Sequence, residues 1–250
     1  MSLDITKQIN DWPYEPGQIN VRLISGDDGR PKIQMRVDLG ILQMETEGRP
    51  DGVRPEGYES LLEMHEDRLD AHVGEHGSDD DFSLDQEACR HLRDEAVQYY
   101  HRYISLLVLE DYEGVVRDTS RNLRLLDFCG TYAESDQDRA MLEQFRPYLT
   151  MMRARALAGQ ALEAGEAKAA MAALDDGLEQ IRVHFDETGH AEEFESASEA
   201  ALLREMRDSL APKLPISARE ELRKRLERAI MQENYELAAI LRDELKMTQE

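Results

Sequence analysis

Leu92-x3-Ala96-x2-Tyr99-x3-Tyr103-x2-Leu106-Leu107 is the stretch on which the fold turns. Steps of four, three, four and three keep these apolar side chains on one stripe of an α-helix. They lie within Leu84 to Leu109, where no strand-like alternation occurs. Glu110-Asp111-Tyr112 then makes a turn, and Val115, Val116, Leu123 and Leu126 carry a second helix to Phe128. Two helices joined by so short a connection return antiparallel. Gly130 and the polar run from Glu134 to Asp138 separate this hairpin from a second one.

The second pair repeats the plan. A helix is predicted from about Ala140 to Leu162, kinked or restarted by Pro147, whose ring cannot continue a helix interior. Ala164-Gly165-Glu166 turns the chain, and Lys168 to Phe185 returns it. With Leu157, Ala158 and Ala161 on the first helix, Gly165 at the turn and Ala170 and Leu174 on the second, this pair resembles a tetratricopeptide repeat. Tyr103, Leu106, Tyr112 and Val115 sit at equivalent offsets in the first pair. Val115 and Ala170 are 55 residues apart, against the roughly 34 of a regular array. An ordinary helical bundle therefore stands beside the repeat reading. Both present helix faces, the kind of surface on which scaffolds dock partners. Glu192 to Leu210 adds a helix with Phe194, Ala201, Leu202 and Met206 on its apolar side.

Upstream the period changes from helical to two. Ile19, Val21 and Leu23 alternate with polar residues, Ser25 to Pro31 loops, and Ile33, Met35 and Val37 alternate again, which predicts a half-buried β-hairpin. Leu39 to Met44 offers a third strand. A solitary hairpin is marginal in water, so it must pack on helices or on a second copy. Glu47 to Gly57 is glycine- and proline-rich. Its Arg49 and Arg54 could hold an anion among exposed backbone amides, although a stiff surface loop is the preferred reading. Tyr58 to Ala71 is predicted as a short helix with Leu61, Leu62 and Leu69 inward. Glu66 to Glu87 reads as an acidic linker. His65, His72 and His76 raise the question of a metal, but spacings of seven and four do not set all three on one face, and no cysteine stands near.

Downstream, Pro212 and Pro215 end the last helix of the middle, and Ser217-Ala218-Arg219-Glu220 supplies a capping box. Leu222, Leu226, Ala229 and Ile230 make one stripe. Gln232 to Tyr235 breaks it, and Leu237, Ala238, Ile240, Leu241 and Leu245 make another, so the last 34 residues read as a helical hairpin. The polar residues are specific too: Glu233-Asn234-Tyr235-Glu236-x-Ala238-Ala239-x-Leu241-Arg242-Asp243-Glu244-Leu245. This pattern closely resembles the UVR motif of the bacterial excision-repair proteins UvrB and UvrC and of some Clp-protease partners. The resemblance implies a hairpin that pairs with a like hairpin in a small four-helix bundle. It further implies that Leu222, Leu226, Ala229, Ile230, Tyr235, Glu236, Ala238, Ala239, Leu241, Arg242, Asp243 and Leu245 form the partner-binding surface. The nuclease, helicase and zinc-binding parts of those relatives have no counterpart in this sequence.

The expected fold class is thus mainly α with a small N-terminal β-hairpin region (α+β). Residues 1–78 would hold the β-hairpin and a helix, 83–211 the tetratricopeptide-like helical domain, and 216–250 the UVR-type hairpin. Charged residues are 33% of the chain and aromatics 6%, with a net charge of −23. All but one unit of that charge falls in residues 1–216, which disfavours nucleic-acid backbones and anionic membranes as partners. Arg219, Arg223, Lys224, Arg225 and Arg228 offer a basic face for DNA contact, the alternative reading of a repair accessory. Glu220, Glu221 and Glu227 interleave with them, so i,i+4 pairs make a solvated face the better expectation. Cys89 and Cys129 show no disulfide or metal spacing. The first 30 residues lack a signal-peptide pattern and no run approaches 18 apolar residues, so a cytoplasmic location is expected. Neither a phosphate-binding Gly-x4-Gly-Lys loop nor a Gly-x-Ser-x-Gly elbow occurs. The expectation is a protein-interaction adaptor without catalytic residues, cofactor or metal, whose partner carries a UVR-type hairpin or is a second copy of itself.

Overall fold

The computed structural model describes residues 4–210 together with Leu226, Ile230 and Met231. The protein is mainly α with a small N-terminal sheet. A short helix α1 (Thr6–Asn10) leads to β1 (Asn20–Ser25), β2 (Pro31–Val37) and β3 (Gly40–Glu45), and helices come after them: α2 (Leu61–His76), α3 (Gln86–Val108), α4 (Tyr112–Tyr132), α5 (Asp136–Glu143), α6 (Arg146–Glu163), α7 (Ala167–Glu187) and α8 (Ser198–Leu210). Met1–Arg207 forms one compact unit and Asp208–Glu250 a second. The expected division between residues 78 and 83 falls inside the first.

α3 packs on α4, α4 on α6 and α6 on α7, so two helical hairpins stack side by side. Asp85 and Asp111 cap α3 and α4 through the amides of Ala88 and Gly114, each satisfying an orphan donor of the first turn. The predicted stripe is the core: Leu92, Ala96, Tyr99, Tyr103 and Leu106 are all buried. Small residues allow the second hairpin its close approach. A Cβ built on Gly177 of α7 would stand 2.5 Å from the Ala154 Cβ of α6.

Several boundaries differ from the sequence reading, each for a local reason. α4 runs past Phe128 through Gly130 to Tyr132, because Tyr132 packs against Phe82 and Phe128 and its carbonyl accepts the Leu84 amide. Pro147 restarts rather than kinks. α5 ends at Glu143, and α6 begins with Pro147 in its first turn, where no amide is needed. The segment from Glu192 is split: a 3-10 turn over Ala191–Ser196 precedes α8. The acidic linker does not start at Glu66. α2 continues to His76, held by buried Leu62, Met64 and His65, and stops where Gly77 takes a left-handed conformation. Only the stretch from Gly77 to Asp85 connects it to α3.

The three strands form an antiparallel sheet in the order β1-β2-β3. Ile33, Met35 and Met44 are buried, but Ile19 and Leu23 are exposed, contrary to the half-buried face that their alternation suggested. β1 is an edge strand, and α3 packs on the central strand β2. The opposite face is covered in part by the entry segment. Arg36 donates to the Trp12 carbonyl at 2.7 Å, and the Arg22 guanidinium lies 4.1 Å from the Trp12 ring centroid.

Candidate functional site

Two broad concavities lie on the second hairpin. One cavity of about 750 Å3 is lined by α5, the start of α6 and the end of α7, including Ala140, Pro147 and Phe185. Another of about 680 Å3 runs over α6 between α4 and α7, past Leu123, Thr150, Arg153, Glu179 and Val183. They share Glu143, His184 and Thr188 and so form one open groove. The break at Glu143 that restarts α6 creates the step where they meet.

The charges of this groove are held in place. Arg146 donates to both oxygens of Glu143 (2.6 and 2.7 Å) and to Asp127 (2.7 Å), and these bonds raise its pKa further above the ordinary guanidinium value. His184 lies 4.0 Å from Glu143, and burial pushes its pKa below the usual imidazole value. The Thr188 hydroxyl donates to the His184 carbonyl at 2.8 Å and is thereby committed. Arg153 differs: its Nε is buried and without a hydrogen-bond partner among the described residues. Such a surface can bind by shape and fixed charge.

Between the sheet and the helices lies a second polar constellation, this one enclosed. Arg102 and Asp118, each 1% exposed, form a two-point ion pair at 2.6 and 2.8 Å. Arg102 also donates to the Gly48 carbonyl at 2.7 Å and to that of Glu45 at 3.3 Å, and Arg117 donates to the Thr46 carbonyl at 3.0 Å. Glu95, fully buried, pairs with Arg121 and with Arg49 (3.0 Å) and accepts the Leu61 amide at 2.8 Å. The Tyr99 ring lies 4.2 Å from the Arg121 guanidinium and 4.9 Å from that of Arg102. Burial pulls the Arg121 pKa down while Glu95 opposes it. α3 and α4 thus hold the end of β3, the loop after it and the start of α2 by charge.

The sequence reading missed this network, although a signal was present. Glu95 and Arg102 fall three residues after Leu92 and Tyr99, on the buried stripe itself. A charged residue on a core stripe is buried only when paired, and each has its opposite on the partner helix.

The anion cradle does not form, because Arg49 turns inward to Glu95 and Asp51 whereas Arg54 pairs with Glu59 on the surface. His65 is buried, and His72 and His76 stack with ring centroids 4.3 Å apart. Among the described residues no three His, Cys, Asp or Glu side chains gather as metal ligands. Cys89 and Cys129 are free, buried and close enough to influence each other. Burial raises both thiol pKa values, that of Cys129 to about 12, which makes them poor nucleophiles. Of the expected partner-binding residues, Leu222, Ala229, Tyr235, Glu236, Ala238, Ala239, Leu241, Arg242, Asp243 and Leu245 lie outside the described residues. Leu226 and Ile230 are helical; the first is half-buried and the second exposed. Among the described residues no helix is long and apolar enough to cross a membrane.

No family model matches this chain, and no curated protein or solved structure matches it either.

Proposed function

We propose that this protein is a cytoplasmic, non-enzymatic adaptor whose C-terminal UVR-type hairpin pairs with a like hairpin on a UvrB/UvrC-type or Clp-associated partner, or on a second copy of itself. The observation that carries this reading is the pair of apolar stripes from Leu222 to Leu245, set in register with the polar positions of the motif. A hairpin of that size is below the roughly 40 residues at which a lone core suffices, so its stripes need a partner. The separation of Asp208–Glu250 from the rest as a unit of its own supports a modular role. The stacked, tetratricopeptide-like hairpins and their open groove give the adaptor a second surface.

Affinity capture from the native cell, with captured proteins identified, is expected to recover a protein bearing a like hairpin or the chain itself. Leu226→Asp with Leu241→Asp is expected to abolish that capture and leave the circular dichroism of the body unchanged. Unchanged capture by the double variant overturns the reading. A gel shift of duplex DNA at micromolar protein, lost steeply on adding salt, would replace it with direct DNA contact.

A further inference from the structure

The free edge of β3 is built to take another strand. Val37 and Gly40 face each other across the two-residue turn that joins β2 to β3, which makes them a hydrogen-bonded pair. Alternation then points the amides and carbonyls of Gly40, Leu42 and Met44 at β2, and those of Ile41, Gln43 and Glu45 away from it. The Glu45 amide confirms the phase, since it donates outward to the Pro50 carbonyl at 2.8 Å. The loop after β3 thus fills the last edge position itself. Among the described residues no partner is found for the outward amides and carbonyls of Ile41 and Gln43.

This edge looks toward the side of α3. It forms one wall of a groove of about 330 Å3, lined by Ile41, Leu42, Gln43 and Met44 on one side, Gln98 and His101 of α3 on the other, and Pro50 and Asp51 at one end. Gln98 and His101 are three residues apart on α3 and face the strand together. The Gln98 amide holds Asp51 at 3.1 Å, and its buried Oε1 has no hydrogen-bond partner among the described residues. A strand edge opposite a helix, with an apolar floor from Leu42, Met44 and Pro50, is the geometry in which an extended peptide gains main-chain bonds from the strand and places alternate side chains on the floor.

Charge selects the occupant. The chain carries −23 overall, and the nearby cations Arg49 and Arg102 offer no free positive charge, being engaged by Glu95, Asp51 and Asp118. Pairing β3 with β3 of a second copy would bring together two chains that each carry −23, which is unfavourable. We propose that the β3–α3 groove binds an extended segment of a partner protein, apolar at alternate central positions and flanked by lysine or arginine, which joins the sheet as a fourth strand. The site is separate from the C-terminal hairpin and does not depend on it.

The test uses the full chain and a fluorescein-labelled peptide that alternates valine and threonine at its centre and carries two lysines at each end. Binding by anisotropy is expected, with slowed hydrogen exchange at the Ile41 and Gln43 amides. Gln43→Pro removes an outward amide without touching the main-chain bonds to β2 and is expected to weaken binding about tenfold or more. Gln43→Ala keeps that amide and binds as the parent does. A peptide N-methylated at alternate central residues is expected to fail. The Leu226→Asp, Leu241→Asp chain binds the peptide unchanged, which separates this site from the proposed hairpin pairing. Four results would each overturn the proposal: no binding at millimolar peptide, unchanged exchange at both amides under saturation, equal affinity of the Gln43→Pro chain, or a dimer in sedimentation that Gln43→Pro dissociates. The exchange readout is made on the unaltered chain, so it decides the matter even if a variant fails to fold.

Discussion

The two ends of the helical stack are joined to their neighbours by opposite physics. At the α6–α7 end the contact is apolar and tight, with Gly177 against Ala154 and with Leu174, Ile181 and Leu203 buried around it. At the α3–α4 end the sheet and α2 are fastened by guanidinium and carboxylate groups removed from water. Apolar packing is non-directional and tolerates small shifts. A buried ion pair is unforgiving of position, since the cost of desolvation is repaid only in good geometry. The contrast suggests that the first interface supplies adhesion and the second fixes one orientation for the sheet, and with it the place of the β3 edge beside α3.

The largest effect that should break this contrast comes from the ionic end. Asp118→Ala leaves Arg102 buried without its counter-charge and is expected to cost about 3–5 kcal/mol in urea unfolding. Arg102→Met with Asp118→Leu removes both charges and should cost less than the single change. If the single and double variants are equally unstable, the pair is not the fastening that its geometry describes.

A smaller effect is expected at the apolar end. Glycine to alanine inside a helix ordinarily gains up to about 1 kcal/mol. At Gly177 the new methyl would meet the Ala154 Cβ, so Gly177→Ala should instead lower stability by about 1–2 kcal/mol through overpacking. Ala154→Gly in the same chain removes the clash, and a double-mutant cycle measures the coupling.

The smallest effect is one of pH, and it sharpens the comparison because it acts at the α2 side. Burial lowers the pKa of His65 below the ordinary 6.5, with nearby Arg68 adding to the shift and Asp85, Glu95 and Glu56 opposing it. The unfolded chain therefore takes up this proton at higher pH than the native one. The contribution of His65 is complete above about pH 6.5 and is lost as pH falls through the native value. Urea midpoints measured downward from neutrality should fall less steeply for His65→Asn than for the parent chain.

How much of this was legible in the residues depends on whether the determinant was local. The stripe from Leu92 to Leu107 placed α3, and the alternation at Ile33 and Met35 placed β2, because each is a periodicity within one element. The exposure of Ile19 and Leu23 was not legible, since strand order decides which strand ends at an edge. Arg49 was read with Arg54 as a possible anion site. Its true partner, Glu95, lies 46 residues away, and only the docking of the loop onto α3 brings them together. The groove around Glu143 and His184 was likewise hidden, because it is assembled from four helices. Glu95 and Arg102 could have been found: each breaks the apolar rule on a stripe that otherwise keeps it.

The Glu95 carboxylate, which receives the first amides of α2, also has a meaning in time. Within the network the bond from Arg102 to Asp118 spans 16 residues and that from Arg121 to Glu95 spans 26, both inside one helical hairpin. The bonds from Arg102 and Arg117 to the loop after β3 span 54 to 71 residues, and Leu61 reaches Glu95 across 34. Closing longer loops costs more entropy, and local contacts tend to form first. The α3–α4 hairpin is therefore expected to assemble its own charges early and wait with an unfilled acceptor in Glu95. α2 begins where that acceptor already stands, and the sheet is the last piece to arrive.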